Sequence, residues 1–242
     1  MAESLIYERD GDVAAITLNR PEIGNRLSDP AISALAEMID GAAKDSRLIV
    51  VKAAGEEFCM GREAMGKRGP AIEAYDFRAR SETIFNCYDA FRRSKAPIVG
   101  VVQGRAAGFG CALAALCDVT LAGEKARFQV PEMSHHIMPT IAMSALIDRV
   151  PRKALLYMVY STEEIDARQA LAFGLASSVV PHDKLEAAAS ELIEKLKKYP
   201  LPAVMAVKEY ARFAYTMDTQ AANDFAKNLH ATINSSSKMW ES

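Results

Sequence analysis

Pro97-Ile-Val-Gly-Val-Val102 runs through Gln103 into Gly104-Arg-Ala-Ala-Gly108-Phe-Gly110-Cys-Ala112-Leu, and the helix-like Ala112-Leu-Ala-Ala-Leu116 completes the stretch. A buried strand, a glycine turn and a helix start in that order aim main-chain N–H groups without helical partners at one point, where negative charge is favoured. That is the frame of an oxyanion hole. A plain Gly-x-Gly also serves as a tight turn that lets strand and helix pack closely. The stretch has neither the Gly-x-Gly-x-x-Gly order of a dinucleotide turn nor the Gly-Lys-Ser/Thr ending of a P-loop, which disfavours nucleotide folds.

Upstream, Leu5 to Arg9 and Val13 to Asn19 read as strands joined at Asp10-Gly11, a hairpin signal. Pro21 ends the second. Pro30 suits the first turn of a helix reaching Ile39, with Ile32, Leu35, Met38 and Ile39 as its apolar stripe. Leu48 to Val51 is a fully apolar strand, and a helix from about Ala71 to Arg93 carries Phe77, Ile84, Tyr88 and Phe91. Another strand follows at Asp118 to Ala122. Continuous rather than alternating apolar strands, interleaved with helices, predict an α/β fold with a parallel sheet covered on both faces. After Pro131 the spacing predicts helices at 141–150, 153–160, 166–173, 185–198, 202–215 and 219–233, broken by a strand at 177–180.

Half of the 242 residues are apolar and 25% are charged, enough for one large core. A net charge of −2 argues against a surface built for nucleic acid or anionic membrane, so any phosphate binding must be local. Cys59, Cys87, Cys111 and Cys117 lack metal-ligand pairing, and the charged start shows no secretory segment, which together predict reduced thiols and a cytoplasmic protein. No apolar run approaches the roughly 20 residues of a membrane span. His135 and His136 are adjacent, without Cys or Asp at ligand spacing, so no metal site is expected.

Ile16-Thr-Leu-Asn-Arg-Pro21 with Asn25, Gly55-Glu-Glu-Phe-Cys-Met-Gly61, Gly104 to Cys111, Cys117-Asp-Val, Ala122-Gly-Glu, Phe128 and Pro131-Glu132 stand in one order and spacing. With Asp166 to Ala176 they resemble the crotonase, or enoyl-CoA hydratase/isomerase, superfamily over about residues 3–215. The resemblance implies a crotonase-like spiral of ββα turns at 1–185, a C-terminal helical trimerisation region at 186–242 in the same fold unit, and a homotrimer or dimer of trimers. It also implies acyl-CoA thioester substrates whose enolate oxygen is met by the N–H groups of Arg62 and Phe109. Coenzyme A enters as part of the substrate, and no separate cofactor is expected.

In this pattern Glu132 is the catalytic carboxylate, and Ala112 stands where hydratases of the superfamily place a second glutamate. Hydration uses two acid/base groups comfortably, whereas moving a double bond from β,γ to α,β needs one base that swings between carbons. Isomerisation therefore leads; a hydratase or lyase recruiting His135, His136 or Glu63 follows, and a binding protein without turnover is the rival from another class. Pro131-Glu132 equally suits the opening of a helix. If Glu132 is the base, Val130, Met133 and Ile137 are expected to raise its pKa. The Arg62 side chain is expected either in solvent, in a salt bridge with Glu63 or Glu132, or on an acidic acyl tail. Glu63 to Pro70 reads as a lid. By the resemblance, Glu22, Ile23, Gly24, Arg26, Met60, Lys67 and Arg68 contact coenzyme A, with Arg20 a further basic candidate.

Overall fold

The structure, a computed structural model, describes residues 4–63 and 73–240. Its strands are β1 (Leu5–Asp10), β2 (Val13–Leu18), β3 (Leu48–Ala53), β4 (Ile98–Val102), β5 (Arg105–Ala107), β6 (Val119–Gly123), β7 (Arg127–Gln129), β8 (Ile165–Asp166) and β9 (Ser178–Val180). The helices are α1 (Asp29–Ala42), α2 (Ala74–Arg93), α3 (Phe109–Leu116), α4 (Thr140–Leu146), α5 (Arg152–Ser161), α6 (Ala167–Ala172), α7 (Leu185–Lys197), α8 (Leu201–Ala214) and α9 (Thr219–Asn234).

The strands form one sheet in the order β1-β2-β3-β4-β6-β9 and a smaller one in the order β5-β7-β8. Gly11, at φ 59°, turns the antiparallel β1–β2 hairpin; every later pairing in the large sheet is parallel. The chain leaves each sheet for the other and returns through a helix, as in β4, β5, α3 and then β6, so successive ββα turns stack into a spiral. The β5, β7 and β8 strands are two or three residues long, too short to show a period, and were not expected from the sequence.

One face of the large sheet packs into the main core with Ile32, Leu35, Ile84, Phe91 and the whole of α3. Its other face, with Val13, Leu48, Val50, Val99, Val101 and Leu121, is covered by Leu185 and Ala189 of α7. The continuous apolar strands are thus buried on both sides, as their composition requires. Phe77 departs from the predicted stripe of α2: it is 59% exposed, because the first turns of that helix stand clear of the core while Ile84, Tyr88 and Phe91 enter it.

Lys208 of α8 is buried and ties that helix inward: Nζ lies 2.7 Å from Asp118 and donates to the carbonyls of Phe91 and Ala96. Beyond it, α9 packs on α8, stacking Phe225 on Tyr210, and buries none of its own residues fully. The cysteines are free and buried. Among the described residues no helix is long and apolar enough to cross a membrane, and no His, Cys, Asp or Glu group stands where it could hold a metal ion.

Candidate active site

The segment Phe58 to Arg62 runs beside β5 and meets the turn that starts α3. Cys59 N–H donates to the Arg105 carbonyl at 3.0 Å, and Ala107 N–H to the Cys59 carbonyl at 2.9 Å. So close a passage needs Gly110, since a Cβ there would fall on the Cys59 carbonyl oxygen. Gly61 follows at φ 100°, where a Cβ would stand 3.2 Å from Ala107 O and 3.9 Å from Phe109 N. Leu27 pairs with the other edge: its N–H donates to Gly61 O at 3.0 Å, and Glu63 N–H donates to Leu27 O at 2.9 Å. Strand alternation turns the Arg62 N–H away from Leu27, toward the edge where Phe109 lies. Phe109 opens α3, so its N–H lies outside the helical ladder.

Gly108 precedes it at φ 53° and ψ −115°, a conformation open to glycine. Its N–H donates to the Gln129 carbonyl at 2.9 Å, which ties the turn to β7 and to the Val130-Pro131-Glu132 that follows. A Cβ on Gly108 would lie 3.2 Å from Glu132 Oε1, so the carboxyl rests against the same turn that presents Phe109. The other oxygen, Oε2, is buried without a hydrogen-bond partner. Burial pushes the Glu132 carboxyl above the usual carboxylate range, while its own main-chain N–H and His135 draw it back. Val130 is fully buried, but Met133 and Ile137 are 43% and 56% exposed. They give little of the apolar cover expected of them, while the carboxyl itself packs against the Gly108 turn.

Ala112 is fully buried, its N–H bonded to the Gly108 carbonyl, and offers the site no acid or base. His135 and His136 are exposed; His136, at φ 56°, closes the 3₁₀ turn Glu132–His135 with its N–H on the Met133 carbonyl. Of the two, only His135 acts on the Glu132 carboxyl. The Arg62 guanidinium pairs with Asp29 at 2.6 Å, a partner the sequence reading missed because Asp29 reads there only as a helix start. Neither Glu63 nor Glu132 takes that place. Glu63 pairs with Arg20 at 3.2 Å, and Arg20 with Glu22 at 2.8 Å.

An open cavity of about 450 Å³ lies at one end of the site, lined by Ile23, Gly24, Arg26 and Met60 together with Gly55, Glu57 and Arg105. Arg26 also donates to the Met60 carbonyl at 2.6 Å, which fixes that rim. Glu22 is absent from the lining and is occupied by Arg20. Arg105, held by Glu57, joins a rim on which sequence reading had not placed it. Asn25 builds the wall behind: fully buried at φ 54°, it donates to the carbonyls of Ala54 and Glu57 and accepts from Arg20 N–H, each at 2.8 Å. Lys67, Arg68 and most of the expected lid lie outside the described residues.

The sequence model of the family described as enoyl-CoA hydratase/isomerase matches residues 8–242. The chain is 34% identical over 222 residues to the 2,3-dehydroadipyl-CoA hydratase of Escherichia coli (strain K12), covering 90% of this chain and 85% of that one. Human enoyl Coenzyme A hydratase domain-containing protein 3 superposes with a TM-score of 0.91 at 25% identity, over 99% of this chain and 95% of the other. A putative enoyl-CoA hydratase from Thermobifida fusca, solved in complex with CoA, superposes with a TM-score of 0.84 at 25% identity, covering 95% and 92%.

Proposed function

The chain belongs to the enoyl-CoA hydratase/isomerase family, and from that premise we propose that it moves the double bond of an enoyl-CoA thioester from the β,γ to the α,β position. The observation that carries this reading is the single carboxylate: Glu132 abuts the Gly108 turn beside the Phe109 N–H, and Ala112 is a buried methyl. In this mechanism the thioester carbonyl lies between the N–H groups of Arg62 and Phe109. Glu132 lifts a proton from Cα, the negative charge moves onto the carbonyl oxygen where the two amides meet it, and the same carboxyl returns the proton to Cγ. A base raised by burial suits this, because its conjugate acid holds the proton long enough to redeliver it. The cavity at Ile23, Gly24, Arg26 and Met60 takes coenzyme A, and exposed apolar side chains of the last third of the chain, Val207, Tyr215 and Trp240 among them, serve a homotrimer or dimer of trimers.

Hydration is the second reading, favoured by the hydratase names of the relatives. Of the groups considered as the missing partner, His135 is the one whose charge reaches Glu132, whereas Glu63 is engaged by Arg20. The test supplies a 3-enoyl-CoA and, separately, a 2-enoyl-CoA, and follows the conjugated thioester by absorbance. Gain of conjugation from the first with slow loss from the second is the expected result; faster hydration of the second replaces isomerase by hydratase. Absence of both, with no exchange of α-protons of butyryl-CoA in deuterium oxide, leaves a binding protein.

A further inference from the structure

Tyr88 lies in α2 at 1% exposure, and its hydroxyl is buried without a hydrogen-bond partner, as is Glu132 Oε2. A phenylalanine would fill that core position without an unpaired polar group, so the hydroxyl calls for a partner that the described protein atoms do not supply. Its surroundings belong to the site. The Tyr88 ring stacks on Phe109, centroids 5.7 Å apart and planes 16° from parallel, and Phe109 is the residue whose N–H stands at the Gly108 turn against which Glu132 rests. Burial pushes the phenol well up, Cys87, Glu132 and Cys111 add to this, and Arg62 opposes it. The hydroxyl therefore stays protonated at neutral pH and is available as a donor.

Resting on the reading of Glu132 as the base, we infer that Tyr88 is a positioning residue for it: the phenol O–H, through one bound water, donates to Glu132 Oε2 and leaves the other carboxyl oxygen toward the substrate's α-carbon. Such a water would accept from the phenol O–H and donate to Glu132 Oε2, two polar partners, the fewest that hold a buried water. Apolar spacing along α2 marks Tyr88 only as a core residue. A hydrogen bond to the ionised carboxylate favours that form, in opposition to burial. The charged and titratable groups around the pair are His135 beside Glu132, and Cys87, Cys111 and Arg62 around Tyr88.

The experiment compares the full-length parent, Tyr88→Phe and Glu132→Gln, using α-proton exchange of butyryl-CoA in deuterium oxide as a function of pH, with thermal melting of each. Tyr88→Phe is expected to melt close to the parent, to exchange about tenfold more slowly with KM little changed, and to have the acid limb of its rate profile moved to higher pH. An unchanged rate, a slower rate with an unmoved limb, or a lower melting temperature with an unmoved limb each overturns the role of Tyr88. Glu132→Gln separates the two layers: if it retains exchange, the underlying assignment of the base fails, and if it alone is inactive, that assignment stands while Tyr88 drops out.

Discussion

Glu132 illustrates how one residue can work against the stability of its own fold. Burial raises its carboxyl, so between the ordinary carboxylate range and the raised value the folded chain holds a proton that the unfolded chain has released. Stability contributed through this group therefore falls as pH climbs through that window. Glu132→Gln is expected to abolish exchange, a loss of about a hundredfold or more, while melting higher than the parent at neutral pH and losing that advantage in acid. A melting series across pH beside the exchange assay checks both signs. Glu132 was named from the sequence only through the family resemblance, in which Pro131-Glu132 follows the glycine turn; by itself Pro-Glu reads equally as a helix opening. Asp29 and Tyr88 were not legible, since a helix-start aspartate and an aromatic at core spacing give no sign of what their polar atoms face. Only the fold brings Asp29 to Arg62, residues 33 positions apart.

At the scale of elements, the site exists because two stretches distant in sequence pass at van der Waals contact. Cys59 bridges Ala106, and the absence of a side chain on Gly110 permits it. Gly110→Ala is expected to force the Phe58–Gly61 stretch off α3, costing about 1–3 kcal/mol by denaturant titration. On the proposed mechanism the Arg62 and Phe109 amides would lose their common focus, with a rate loss of about a hundredfold for one displaced donor. Stability lost without activity would show that the amides do not act together. The order of the long strands, the hairpin and most helices follows from apolar runs and breakers in the chain. The small β5-β7-β8 sheet does not, because Arg105–Ala107 and Arg127–Gln129 owe their extended form to pairing with each other rather than to any local preference. The glycine turn was thus readable, but the short sheet that holds it was not.

In the molecule as a whole, the late helices are fastened to the sheet at a point far along the chain from the residues they meet. Lys208 reaches Asp118, whose carboxylate also accepts from the Ile98 N–H, so α8, β4 and the entry to β6 share one charge pair. Burial lowers the lysine's pKa and Asp118 works against that. Lys208→Met is expected to leave Asp118 without its counter-charge and to cost about 3 kcal/mol in a urea titration, since removing one partner of a buried pair strands the other. Exchange activity measured well below the midpoint should persist, because the site's own contacts do not pass through this pair. The distribution of sulfur carries a last consequence. Conjugated enoyl thioesters are Michael acceptors, and the thiolate is the form of cysteine that adds to them. Cys59 and Cys111 sit on the segments that the proposed mechanism sets around the thioester carbonyl, yet burial pushes both thiols up to about 12. On the proposed function the chain is expected to meet an electrophile without alkylating itself, so the intact mass of the native chain after prolonged incubation with crotonyl-CoA should show no adduct until a denaturant opens the fold.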